Sequence, residues 1–282
     1  MAFEMKDVSD TALLVAAARA SETERPDGLV RDPYAATLAG ERGIGIARNA
    51  NLSRWMSFGI GLRSRFIDDL LTMELRDRPI DCILSLGAGL DARPWRLSLP
   101  GSLRWIEVDF EPILGYKQNA LKGVPSQCRL EHMSADLNEK GERQHVLDEI
   151  TAKGSRVLLL TEGLLYYLPA STVRGLAIET AERTSFSSWI LDVSSQALMQ
   201  LDHAIGRRSI EKFGHETRLD GEQILQTVTE SGWGAAGRRT FVKDGAAFAI
   251  ARAKENGWTP DPNTLRPSPD DPAGVWLFRR SA

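Results

Sequence analysis

Residues 83–97 read ILSLGAGLDARPWRL: an apolar run meets the turn Gly87-Ala88-Gly89, and Asp91, Arg93 and Arg96 follow at once. Gly87 and Gly89 let backbone approach a ligand with no Cβ in the way. Glu107 and Asp109 stand 20 and 22 residues past Gly87, at the end of a second apolar run. A carboxylate at that place can accept the hydroxyls of a ribose. The run Gly87-Ala88-Gly89-Leu90-Asp91-Ala92 fits the G-x-G-x-x-A dinucleotide fingerprint. It fits equally the G-x-G turn of enzymes that use S-adenosylmethionine (AdoMet). The charges that follow separate the two. A pyrophosphate rests on a helix N-terminus, where Asp91 would repel it. AdoMet presents an ammonium, a carboxylate and a sulfonium, a set that suits acidic groups beside an arginine.

The elements that must carry these groups follow from periodicity. Helices are expected over Thr11–Ala20 and about Ser53–Arg76, the second with Ile67, Leu70, Leu71 and Leu75 at helical spacing. Between them ERPDGLVRDPY (24–34), with Pro26, Gly28 and Pro33, reads as loop. From residue 80 short apolar strands alternate with helices. The strands lie in DCILSLGAG, LRWIEVDF, CRLEHMSADL, the start of RVLLLTEGLLYYL, and SSWILDVS; the helices span Pro112–Leu121, Glu139–Ile150 and Ser171–Arg183. Such alternation implies right-handed crossovers and a parallel sheet. The run Val157–Leu160 suits a strand covered on both faces. A polar helical insertion follows at Gln196–Lys212, then a capping box at Asp220 and Gln223 opening a helix that stops near Gly232. Two β-like segments, RRTFV…AFAIARA and GVWLFRR, are expected to finish the sheet as a hairpin, joined by a proline-rich loop.

Composition narrows the functional classes. The chain has 282 residues, 42% hydrophobic, with a formal net charge of −3 from 35 basic and 38 acidic residues. That balance argues against holding nucleic acid by bulk electrostatics, and no apolar run approaches a membrane span. Thr11–Ala20 has a faint likeness to a signal-peptide core, but the acidic residues before it and Arg19 within it favour an ordinary helix. Cys82 and Cys128 are isolated, and the four histidines show no ligand spacing. A cytoplasmic protein without a metal is the expectation.

The strings LGAGLDARPWRL, WIEVDFEPILGYK and LLLTEGLLYYLP together resemble the leucine carboxyl methyltransferase-like family, a branch of the class I AdoMet-dependent methyltransferases. TALLVAAARASETERPDGLVRDPYA and GLRSRFIDDLL resemble the N-terminal helices of its bacterial polyketide O-methyltransferase members. The resemblance runs over roughly residues 8–235. It implies an α/β fold: a Rossmann-like, doubly wound, mostly parallel seven-stranded sheet with a C-terminal antiparallel hairpin. It also implies an N-terminal helical cap (residues 1–78, part of the same domain) and a core over 79–282 with a helical lid insertion at about 194–220. Position by position it implies that Arg63 pairs with the methionine carboxylate of AdoMet, with Arg65 as the fallback. Gly87, Ala88 and Gly89 lie under the methionine portion, with Asp91 beside them. Asp109, followed by Phe110, holds the ribose. Asp136 and Leu137 flank the adenine. Glu162, followed by Gly163, faces the methionine ammonium, and Tyr167 stands next to the substrate. LRSR replaces the family's usual Ala-Arg-Thr, and DARPWR its Asp-Thr-Arg, which leaves the acceptor pocket open.

Plainer roles exist for each position. Asp109 can cap the helix at Pro112, Asp136 can make an ordinary turn, Glu162 can be a solvated strand-end charge, and Arg63 can form a surface ion pair. Of Tyr166 and Tyr167 one should pack in the core with its hydroxyl paired. Trp95 reads as wall or core, and His203 and His215 as surface residues. Methyl transfer from sulfonium is an in-line displacement that depends on positioning. A carboxylate acceptor needs no base, whereas a phenol does. No strongly marked base stands at the strand ends, which favours a carboxylate, and Arg19, alone in an alanine-rich helix, is the candidate to anchor it. The product is an O-methylated small molecule, with no nucleic acid or membrane partner. Two other readings remain at this level: a non-catalytic AdoMet-binding protein and an NAD-dependent oxidoreductase.

Overall fold

A computed structural model describes residues 8–49, 54–152, 155–194, 218–255 and 270–280. Its centre is a seven-stranded sheet. Five parallel strands lead: β1 (Cys82–Leu86), β2 (Arg104–Asp109), β3 (Arg129–Ser134), β4 (Val157–Thr161) and β5 (Phe186–Val193). β6 (Trp233–Thr240) and β7 (Gly274–Arg280) complete it, with β7 antiparallel to both β5 and β6. The strand order is β3-β2-β1-β4-β5-β7-β6, so the expected mixed sheet with a terminal antiparallel pair is present. β1 and β4 are buried at every position, as strands covered on both faces must be.

One sheet face carries Leu84, Leu86, Ile106, Val108, Leu159 and Trp189. It packs on α6 (Lys140–Thr151), α7 (Ala170–Ala181) and α8 (Gly221–Glu230). The other face carries Ile83, Trp105, Leu158, Leu160 and Ile190 and packs on α3 (Arg54–Asp77) through Leu62, Phe66, Ile67, Leu70 and Leu71. The helical spacing of those α3 residues is the one their sequence shows. Glu74 locks α3 in place: fully buried, it accepts from Ser188 Oγ at 2.6 Å and from Arg279 Nη2 at 2.5 Å. α1 (Val8–Glu24) and α2 (Ala35–Asn49) lie over the glycine turn and α4 (Arg93–Arg96), burying Leu13, Ala16, Leu38, Ile46, Leu90 and Trp95 together. α5 (Glu111–Ala120) follows β2 with Pro112 in its first turn.

Several expectations change. α1 runs past both ends of Thr11–Ala20 and stops only two residues before Pro26. α2 is an additional helix beyond the two expected before residue 78, and it contains Gly40, Gly43 and Gly45. Its two helical pieces meet at Gly40, whose φ of +57° suits only glycine, and an added Cβ there would sit 3.0 Å from the Tyr116 hydroxyl. AFAIARA is not a strand but lies in α9 (Ala246–Glu255). Phe248, Ala249, Arg252 and Ala253 recur there at helical spacing, and Arg252 forms a two-point ion pair with buried Glu22 of α1 at 2.8 and 3.0 Å. The capping box is as expected: Gln223 N donates to Asp220 Oδ1 at 2.9 Å and Asp220 N to Gln223 Oε1 at 3.0 Å. The insertion at Gln196–Lys212, with His203, and His215 beyond it lie outside the described residues.

Beneath the β2 strand end lies a fully buried ion pair, Lys117 Nζ to Glu107 Oε1 at 2.7 Å, with Lys117 also 5.6 Å from the Trp95 ring centroid. Removing one partner strands a buried charge, which typically costs about 3–5 kcal/mol, whereas replacing both with apolar groups is close to neutral. Lys117→Met should therefore lower unfolding free energy by about 3 kcal/mol or more in urea titrations. The double variant Lys117→Met, Glu107→Leu should recover most of that loss.

Candidate active site

The five parallel strands end at one edge of the sheet, the edge where open α/β sheets bind ligands. In spatial order β3, β2, β1, β4, β5 their ends present Asp136, Asp109, the 87–89 turn, Glu162 and Asp192. Gly87 has φ +62°, a backbone conformation that favours glycine, and a Cβ on it would come 2.7 Å from Leu164 Cδ1, so the leucine side chain would have to turn aside. Ala88 N donates to Val108 O at 3.1 Å, tying the turn to β2. Gly89 N donates to Asp109 Oδ2 and Phe110 N to Asp109 Oδ1, each at 2.7 Å. Each oxygen of this carboxylate keeps a lone pair for a further donor. Burial pushes the Asp109 carboxyl above the usual range, against the pull of those two amides and Lys117. Phe110 is 45% exposed beside it.

The turn leads into a buried charge network. Arg93, 1% exposed, donates to Asp68 Oδ1 at 2.6 Å, Asp91 Oδ2 at 2.8 Å and Glu162 Oε2 at 2.6 Å. Arg96 grips the same Asp68 through both terminal nitrogens at 2.6 and 2.9 Å. Arg63 Nε donates to the other Glu162 oxygen at 2.9 Å. Arg63 Nη1 also lies 3.4 Å from both the Tyr166 hydroxyl and Asp192 Oδ2. Desolvation alone would raise the Glu162 carboxyl; Arg93, Arg63 and Arg19 more than offset it and hold it well below the usual range. Asp91 is likewise lowered, burial being outweighed chiefly by Arg93. The Arg63 and Arg93 guanidiniums are raised in turn, their carboxylates overcoming burial.

Arg63 thus stands inside the cluster, while Arg65, the fallback, is exposed and pairs with Asp69 one helical turn on. Asp136 is partly exposed and accepts from Asn138 N at 2.9 Å, a turn geometry. Leu137 beside it is buried. The Tyr166 hydroxyl is paired: it donates to Asp192 Oδ2 at 2.9 Å. The Tyr167 ring lies tilted on Tyr166, 5.3 Å between centroids. The expected acceptor anchor, Arg19, is already engaged. It is 5% exposed, ion-paired with Asp32 at 3.0 Å and donating to Leu90 O at 2.6 Å, so its guanidinium ties α1 to the glycine turn.

Sequence reasoning noted Arg93 only as a charge after the glycine turn and passed over Asp68 and Asp192. Asp192 carried the same signal as Glu162, an acid closing an apolar strand run. Gly163 N donates to it at 2.6 Å, and its carboxyl is raised by burial and by Glu162, against the pull of Arg63.

Because the Glu162 carboxyl is lowered in the folded chain, it contributes stability that is present above the ordinary glutamate pKa of about 4.3 and lost as pH falls through the folded value. Glu162→Gln should cost about 3 kcal/mol at pH 7 and flatten the acid limb of a stability–pH curve from denaturant midpoints.

A family profile described as leucine carboxyl methyltransferase matches residues 12–180. A protein of Streptomyces coelicolor named "Putative S-adenosyl-L-methionine-dependent methyltransferase" is 35% identical over 62% of this chain and 61% of its own length. One of Frankia alni with the same name is 34% identical over 61% of this chain and 64% of its own. The matches thus span less than two thirds of either relative. Similarity of fold extends to a DUF574 family protein of Streptomyces avermitilis (TM-score 0.56, 15% identity, 95% of this chain and 97% of that one). It extends also to magnesium protoporphyrin IX methyltransferase of Synechocystis (TM-score 0.51, 12% identity, 86% and 95%). With a profile covering 169 of its 282 residues (12 to 180), a sheet of this order and a glycine turn set against Asp109 and Glu162, the chain belongs to the leucine carboxyl methyltransferase family.

Proposed function

We propose that the chain transfers a methyl group from AdoMet to an oxygen, carboxylate or phenolic hydroxyl, of a small polyketide-like acceptor. The observation that carries this is the pairing of a ribose-type carboxylate with a zwitterion-type cluster across the glycine turn. Asp109 lies on one side of the turn, and Glu162 with Arg63 on the other.

AdoMet, when bound, supplies a methyl carbon on a cationic sulfur. The chain supplies position. Asp109, oriented by Gly89 N and Phe110 N, accepts the ribose hydroxyls. Glu162, kept ionised, takes the ammonium, and Arg63 the carboxylate of the methionine portion. Their mutual pairing means an entering zwitterion meets alternating charges already in place. Gly87, Ala88 and Gly89 leave room beneath it, Asp91 fixes the turn through Arg93, Gly163 closes the β4 end, and Tyr167 borders the acceptor. Asp136, Leu137 and Phe110 frame the adenine. Holding nucleophile, methyl carbon and sulfur in line can supply much of the acceleration.

Calorimetric titration with AdoMet, S-adenosylhomocysteine and NADH tests the assignment: the first two should bind and NADH should not. Asp109→Ala should weaken AdoMet binding by about 1.5–3 kcal/mol, the usual worth of hydrogen bonds to a charged group. Hydroxyls donate only to the ionised carboxylate, and the Asp109 carboxyl is raised. Affinity should therefore be full at neutral pH and fall as pH is lowered, starting above the usual carboxylate range. Asp109→Asn should remove most of that slope.

A further inference from the structure

Resting on the methyl-transfer reading, we infer that the acceptor is a neutral hydroxyl of phenol or enol type and that Asp192 takes its proton. The strand order places the argument. Asp136, Asp109, the glycine turn and Glu162 occupy the ends of β3, β2, β1 and β4, in the order adenine, ribose and methionine would require. β5 is next on the far side of β4, where the cofactor's reacting end must meet its partner. Asp192 closes that strand.

Its surroundings are those of a base held ready. Gly163 N fixes one carboxylate oxygen at 2.6 Å; the other accepts from the Tyr166 hydroxyl at 2.9 Å, with Arg63 Nη1 at 3.4 Å. The charged and titratable groups around it are Arg63 from α3, Glu162 from β4 and Tyr166 from the 3-10 turn at Leu165–Tyr167. Burial and Glu162 raise its carboxyl, bringing it closer to the pKa of the proton it would remove. Charge balance also disfavours an anionic acceptor. Among the described residues the cluster holds the carboxylates of Asp68, Asp91, Glu162 and Asp192 against the guanidiniums of Arg63, Arg93 and Arg96. With S-adenosylhomocysteine, whose ammonium and carboxylate cancel, a further carboxylate would add to that excess, and Arg19 is engaged elsewhere. In the step, the acceptor O–H bond breaks and its proton passes to Asp192. The oxygen's electron pair forms the bond to the methyl carbon, and the carbon–sulfur bond breaks with its pair left on sulfur.

The probes are 1-naphthol and 1-naphthoate, similar in shape and differing in charge. On protein saturated with S-adenosylhomocysteine, calorimetry at pH 8 should show naphthol binding at least about tenfold tighter, a difference of about 1.4 kcal/mol. With AdoMet, naphthol should yield a base-stable ether. Asp192→Asn should lower kcat about 10²–10⁴-fold, with the AdoMet Kd changed only a few-fold because Arg63 keeps Glu162. Tyr166→Phe removes a hydrogen bond to the ionised carboxylate, so the rising limb of the kcat–pH profile should move to higher pH. Asp192→Glu should restore part of the rate. Preference for naphthoate, a base-labile ester, an unchanged kcat in Asp192→Asn, or failure to bind or methylate naphthol while AdoMet binds would overturn the inference and leave the cofactor assignment standing. Loss of AdoMet binding by the unaltered protein would instead overturn the methyl-transfer reading itself.

Discussion

Arg93 is the residue on which the site depends. A guanidinium at 1% exposure is tolerable only if its donors are met, and three carboxylates meet them: neighbouring Asp91 in the turn after β1, and from distant segments Asp68 on α3 and Glu162 after β4. The pairing fixes where α3 stands relative to the strand ends. It also fixes the orientation of Glu162, because Arg93 takes one of its oxygens and Arg63 the other. A group held this way needs no reorganisation when a ligand's charge arrives.

The network is a chain of alternating sign that crosses the sheet edge: Arg96, Asp68, Arg93, Glu162, Arg63, Asp192 and finally the Tyr166 hydroxyl. Each link shares a residue with the next, so the effect of any substitution should spread to its neighbours instead of adding independently. Lys117 and Glu107 repeat the device one layer below, under Asp109. The consequence is a stiff floor. The Gly87 turn packs against Leu164 on one side and is hydrogen-bonded to β2 on the other, leaving little freedom in the 87–89 segment.

Much of this floor was legible from sequence because it is local. A parallel strand is a short apolar run whose C-terminal end faces the ligand edge; the Gly87 turn and Asp109 are found that way, whereas the role given to Glu162 came from the family resemblance. What local pattern cannot show is which charges meet. Arg93 is two residues from Asp91, but its pairing with Glu162 spans 69 residues and with Asp68 25. Arg19 looked solitary because Asp32 and the Leu90 carbonyl come to it through the fold. The misreadings have the same origin. α2 breaks helical rules at three glycines and is stabilised by packing on α1, while the alternation of small and apolar residues in AFAIARA mimics a strand until Glu22 claims Arg252.

The arginines also answer a problem that the carboxylates alone would create. Four bare carboxylates beside a sulfonium would bind it strongly in the ground state, and that attraction would weaken as the positive charge disperses in the transition state. Binding of that kind tightens the complex without speeding the reaction. Arg63, Arg93 and Arg96 offset three of the four carboxylates, so a site of the proposed kind would keep directional hydrogen bonds for an ammonium while the pull on the sulfur is much reduced. The exposure gradient works in the same sense. Phe110 and Asp136, which the proposed reading sets at the adenine, remain in reach of water, whereas Arg93 and Asp192 are almost fully withdrawn from it. Charge that disperses in a transition state is helped by a dry environment, which the buried end of β5 offers.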